Sequence, residues 1–243
     1  MSASHPDQWE FVFSLNEECQ FTDVKGLRDI QLKFKDVGPN SKLVTGFHIN
    51  VEGYTQNEAL STANEHAKRL TDLLALECGK HLRYQLSGYT KINPHGKQTV
   101  GKTVTMDAIL IVGKPIDLSK GILASLIKNN SDLTQRLHHA NQGLEAAKNK
   151  LYEIMIKEFY LVIDGVFPQN STKFMSLRDV LSHHGQLRQE TIQRLNQDFG
   201  TGYFEFTSKN GFDHNSPNNI AKLKVESRAL MEIAMRYLLN KIH

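Results

Sequence analysis

Two short stretches of the chain carry residue types at spacings that could do chemistry. The first, Gly96-Lys97-Gln98-Thr99-Val100-Gly101-Lys102-Thr103, matches the pattern G-x-x-x-x-G-K-[ST] in full. In a phosphate-binding loop such a sequence wraps phosphates in backbone N–H groups, sends its Lys to the outer phosphates and holds Mg²⁺ with its hydroxyl. The second, Arg178-Asp179-Val180-Leu181-Ser182-His183, places a guanidinium ahead of an imidazole in an R-x4-H spacing. Arg is the standard donor to phosphoryl oxygens. His is the side chain best suited to moving protons near neutral pH. Without a metal, such a pair suits RNA cleavage. The ribose 2′-OH attacks the adjacent phosphate, His handles a proton and Arg stabilises the crowded, charged phosphorane.

The elements around each stretch decide how far it can be taken. A phosphate-binding loop needs a buried strand before it and a helix after it, because the helix N-terminus supplies the dipole and the amides. Here Thr103 runs into "VTMDAILIVG", rich in β-branched and apolar residues, and "NPHG" before the motif is turn chemistry. The match therefore falls in the connection between two expected strands, as a basic hairpin tip on which Lys91, Lys97 and Lys102 could still touch phosphate. "FYLVIDG" resembles the apolar run plus Asp of a Mg²⁺ site, but Asp164 closes a helical pattern through Leu151, Ile154, Met155, Glu158 and Phe159.

The second stretch lies on an expected helix marked by Phe174, Leu177 and Leu181. At about 100° per residue, Arg178 and His183 stand roughly 140° apart, whereas Asp179 and His183 share a face. Asp179 is thus placed to orient the imidazole and favour its charged form. Gly185 marks the helix end, which puts His183 in the last turn, where the helix dipole also favours a cation. The long Arg178 side chain could bend round to it, or meet a His of another chain. His184 offers an alternative partner.

Along the chain, "WEFVFSL", "IQLKFKDV" and "LVTGFHINVEG" alternate with period two and read as strands. Thr55-Gln56-Asn57-Glu58 is a capping box that opens a helix running to about Cys78 and stopping at Gly79. "LRYQLSGYTKI" and "TVTMDAILIVG" follow as strands. Beyond "GKPIDLSKG" the pattern is helical. Leu144, Lys148, Leu151, Met155, Phe159 and Val162 keep one face of a long helix; Ile192, Leu195 and Phe199 mark another, ended by Gly200. "YFEFTS" reads as a short strand. Ser216-Pro217 caps a last helix with Ile220, Leu223, Leu230, Ile233, Ala234 and Tyr237 on its face. The expected fold is α+β: a mixed strand and helix domain over residues 1–116, then an all-α bundle over 117–243.

Composition narrows the classes. The formal charge of +3 is a weak lean towards anionic partners, far below that of a basic nucleic-acid-binding tail. No apolar run reaches the roughly 20 residues of a membrane span. The start has no basic region followed by an apolar one, so no signal peptide is expected. Cys19 and Cys78 have no zinc or disulfide-framework spacing, and reduced thiols in a cytoplasm fit them. No carboxylate cluster or H-E-x-x-H points to a metal nuclease, so neither metal nor cofactor is expected. His138 and His139, being adjacent, point to different helix faces and read as solvated side chains and not as ligands, and "FDHNSP" with Asp213 and His214 reads as a turn into the Ser216 cap.

"LRDVLSHH", set between long helices, resembles the HEPN superfamily, helical bundles with an R-x4-6-H signature often followed directly after the Arg by Asn, Asp or His. Asp179 fits that slot. The resemblance covers about residues 120–243. Many such proteins are metal-independent ribonucleases that pair two bundles so that both motifs line one cleft, and they are common in bacterial toxins and antiviral systems. More loosely, an α+β front end with "LRDVLSH", "FG-x-GYF" and a final helix looks like the MauJ-like methylamine-utilisation proteins. The HEPN resemblance implies that Arg178 and His183 are the catalytic pair and Asp179 a polar helper, in a cytoplasmic homodimer acting on RNA. The alternatives are a non-catalytic RNA-binding or dimerisation module of the same fold, and a nucleotide-binding protein using Gly96–Thr103.

Overall fold

The computed structural model describes residues 6–21, 24–38, 41–93, 96–101, 112–113, 116–117, 126–127, 132–167, 173–183 and 185–242. The chain is mixed α and β, with the helix-rich part at its C-terminus, and divides into two compact units, Met1–Thr134 and Gln135–His243.

In the first unit, β1 (Asp7–Phe21), β3 (Ile30–Gly38), β4 (Ser41–Gly53), β5 (Tyr84–Asn93) and β6 (Gly96–Gly101) form an antiparallel sheet in the order β3-β4-β1-β5-β6. Strand β7 (Val112–Gly113) pairs in parallel with the end of β1, and β2 (Val24–Lys25) with β8 (Ile116–Asp117). Alternation puts Trp9, Phe11 and Phe13 of β1 beside Val51, Ile49 and Phe47 of β4 on one face, all of them buried. Helix α1 (Gln56–Cys78) packs on that sheet. Ala59, Ala63 and Ala67, at successive i+4 positions, are fully buried, and small side chains let the helix lie close. The approach is tight: a Cβ on Gly53 would meet Ala59 Cβ at 2.9 Å.

Both ends of α1 follow the sequence. Thr55 Oγ1 accepts from the Glu58 N–H at 3.2 Å, and Glu58 reaches back to the Tyr54 N–H at 3.1 Å. Gly79 ends the helix at φ 63°. Cys19 and Cys78, distant in sequence, meet as buried free thiols. The hydrogen bond to Cys19, then burial, pushes the Cys78 thiol far up, so it stays protonated at neutral pH.

The helical unit holds α2 (Asp132–Lys148, whose first turn belongs to the first unit), α3 (Tyr152–Ile163), α4 (Lys173–Ser182), α5 (Gln189–Phe199) and α6 (Pro217–Ile242). The single long helix expected across Leu144–Val162 is two. Lys150 turns left-handed at φ 58°, its N–H donates to Ala147 O at 3.1 Å, and the Leu151 N–H donates to Ala146 O at 2.9 Å. That is a Schellman stop with Lys in the place glycine usually takes. "YFEFTS" is not a strand: a turn through Lys209 and Asn210 leaves one bridge, Phe206 to Phe212. Ser216 Oγ caps α6 by accepting from the Asn219 N–H at 3.2 Å. Its buried face is Asn219, Leu223, Glu226, Ser227, Leu230, Ala234, Leu238 and Ile242; Ile220 and Ile233, expected there, are exposed.

The unit boundary falls later than the change of texture near residue 116. The reason is visible in the pairing of β8 with β2, and in the buried Leu126 and Ile127, whose carbonyls accept from Thr134 Oγ1 and Arg69.

Candidate functional site

Helix α4 forms because Phe174, Leu177 and Leu181, with Ser176 and Val180, bury one stripe against α3 and α5. That leaves Arg178 and Asp179 half-buried on its flank. Arg178 lies over the Tyr160 ring of α3 at 4.7 Å, within reach of a cation–π attraction. Its Nε stands 3.2 Å from Asp179 Oδ1. This is a charge contact and not an aligned hydrogen bond, because the buried Nε has no acceptor in line. Tyr160 is raised above the ordinary phenol range, by burial first and by the Asp164 carboxylate, with Arg178 opposing. A neutral phenol and a nearby carboxylate thus hold the guanidinium in place.

His183 stands just beyond the helix. Its N–H still reaches Val180 O at 3.3 Å, but α4 ends at Ser182 and the imidazole is exposed. Among the described residues no hydrogen bond or ion pair joins it to Arg178 or Asp179. Asp179, expected to orient His183, is turned to Arg178 instead. The i,i+4 argument needs both residues in the helix, and the helix stops one residue too soon. His184 lies outside the described residues. After His183 the chain passes Gly185 at φ 117° and is tied by the Leu187 N–H to Asn210 O at 3.0 Å. Gln186, Leu187, Arg188, Gln189, Glu190 and Asn210 line an open groove of about 510 Å³ next along the chain from His183. Arg188 gives that groove one guanidinium.

The Gly96–Thr103 motif takes a different shape from a loop. Its first six residues run as β6, paired with β5 from Asn93 opposite Gly96 to Gly88 opposite Gly101. Backbone extended in a ladder does not curl its N–H groups around one anion. Lys97 sits opposite Ile92 in that ladder; its side chain, like the whole of Lys102 and Thr103, lies outside the described residues. Lys91 is engaged by Asp7 at 2.6 Å and lies 5.6 Å from the Trp9 ring.

Three further polar clusters serve the bundle. His139 pairs with Glu158 at 2.9 Å and Arg136 donates to Val162 O at 2.5 Å, both fixing α2 on α3. His214 pairs with Glu153 at 2.7 Å, and Asp213 accepts from the Asn215 N–H as an Asx turn before the Ser216 cap. Glu226, buried on α6, accepts from Lys173 at 2.6 Å and from the Tyr203 hydroxyl at 2.9 Å. Burial first, then that carboxylate, pushes Tyr203 up to about 12. The Lys173–Glu226–Tyr203 set escaped the sequence reading, although a Glu three positions after Leu223 on a core stripe was a signal. Among the described residues no group of three His, Cys, Asp or Glu is placed to hold a metal ion, and no helix is long and apolar enough to cross a membrane. No family model, no curated protein and no solved structure matches the chain.

Proposed function

We propose that this chain is a metal-independent endoribonuclease of HEPN type, with Arg178 and His183 as the catalytic pair and Asp179 as helper. The observation that carries this is the setting of Arg178. It is held on the flank of a bundle helix by Tyr160 and Asp179, and the chain that follows that helix carries an exposed imidazole and then residues that line a polar groove. Arg178 contacts a non-bridging phosphate oxygen and stabilises the dianionic phosphorane. His183 takes the proton from the attacking 2′-OH or gives one to the departing 5′-oxygen. The P–O5′ bond breaks as the P–O2′ bond forms, leaving a 2′,3′-cyclic phosphate and a 5′-OH.

Because Arg178 and His183 are not joined within one chain, the cleft is completed by a homodimer or by a swing of the Arg178 side chain on RNA binding. The first unit recognises substrate, trigger or partner, and the protein works in the cytoplasm, as toxin or antiviral proteins of this type do. The test is end-group analysis of RNA incubated with the protein in excess EDTA. Cyclic phosphate ends support the reading; 3′-OH ends, or cleavage abolished by EDTA, overturn it.

A second reading, a non-catalytic RNA-binding or dimerisation module of the same fold, is favoured by one observation: Asp179 is occupied by Arg178 and leaves His183 without its helper. RNA binding without turnover by wild type supports it. A nucleotide-binding protein using Gly96–Thr103 is the third. It requires ATP to raise the melting temperature of wild type and not of Lys102→Ala.

A further inference from the structure

We propose that the open face of α6 docks a second copy of this chain, two-fold and antiparallel, through Ile233 and crossed Glu232–Arg236 ion pairs. On its exposed side, α6 presents Ala229, Glu232, Ile233, Arg236 and Asn240, which with Phe167 and Tyr237 line a groove of about 500 Å³. Single exposed apolar residues are ordinary, but here Ile233 at 39% and Phe167 at 42% exposure line the same depression, a contiguous apolar patch within a charged rim.

The charges select the occupant. Glu232 and Arg236 stand one turn apart in the orientation that favours an intrahelical pair. Yet among the described residues neither makes a hydrogen bond or ion pair. A two-fold axis passing between them and normal to the helix sets Glu232 of each copy against Arg236 of the other, so one surface satisfies itself twice. The same axis brings the two Ile233 side chains together beside it and seats each at the other's groove. It also places Asn240 opposite the exposed Arg228. A helix of 26 residues, roughly 39 Å long, gives such a crossing length to spare. A foreign partner would need this acid–base order in reverse; a second copy running antiparallel has it already.

This dimer is separate from any pairing that completes the Arg178–His183 cleft, and it does not rest on the ribonuclease reading. Arg178 and His183 are not part of it.

The test is sedimentation velocity of the full chain over a concentration series, for wild type, Glu232→Arg, Arg236→Glu and the double reversal. Both positions are solvent-facing, and circular dichroism checks that each variant is folded. Each single reversal is expected to weaken the dimer at least tenfold, and the double reversal to restore it. A wild type that stays monomeric overturns the proposal. So does a dimer that ignores the single reversals, or one that the double reversal fails to rescue. RNA cleavage measured on the same samples separates the two ideas: a charge-sensitive dimer with no cleavage keeps this face and sinks the ribonuclease.

Discussion

At the scale of single residues, Tyr203 offers a direct check on the buried polar set around Glu226. Its phenol sits at about 12 in the folded chain against an ordinary 10.0. A raised folded value means that the neutral phenol stabilises the fold fully below pH 10, and that this contribution is lost as pH climbs through 12. Urea unfolding of wild type should therefore lose stability between pH 10 and 12 relative to Tyr203→Phe; parallel pH profiles would show that Glu226 does not hold the phenol. Residue types and spacing made Arg178 and Asp179 legible as neighbours on one helix, but not as partners. Successive residues point about 100° apart, and only the length of the Arg side chain, lying over Tyr160, closes that gap. Tyr160 itself was unreadable as a partner, because nothing local says which ring of α3 will face α4.

Elements show where local signals suffice. Thr55, Gly79, Ser216 and Gly200 stop or start helices where their chemistry says they should. The break between α2 and α3 has no such marker, because Lys150 takes a conformation that lysine disfavours. Tertiary packing overrides propensity there. Lys150→Gly should then raise stability by roughly 1 kcal/mol in denaturant titration, whereas a continuous helix at this point would be weakened by it. Close packing of the same helix pair makes an opposite expectation for Gly143. A Cβ there would meet the Phe159 ring at 2.7 Å, and that ring is fully buried. Gly143→Ala should cost about 2 kcal/mol; a neutral effect would mean that the two helices lie further apart.

For the whole molecule, 29 Lys and Arg are nearly balanced by 26 Asp and Glu, a composition that gives few phosphate contacts when the two signs are interspersed over the surface. Affinity for single-stranded RNA should fall with log salt at a slope shallower than about −3, given about −0.7 per phosphate contact. Fluorescence anisotropy across a salt series checks this, and a much steeper slope would point to a concentrated basic surface that composition hides. The division into a sheet unit and a helical unit was legible in the switch from period two to helical spacing. Its position was not, because the pairing of β8 with β2 joins segments far apart in the chain. The central claim concerns Arg178 and His183, and purified wild type beside Arg178→Ala and His183→Ala, incubated with RNA in excess EDTA, tests it most directly. Wild type should cleave and each variant should lose at least about a hundredfold in rate while staying folded. Equal cleavage by all three forms would contradict the assignment of this pair.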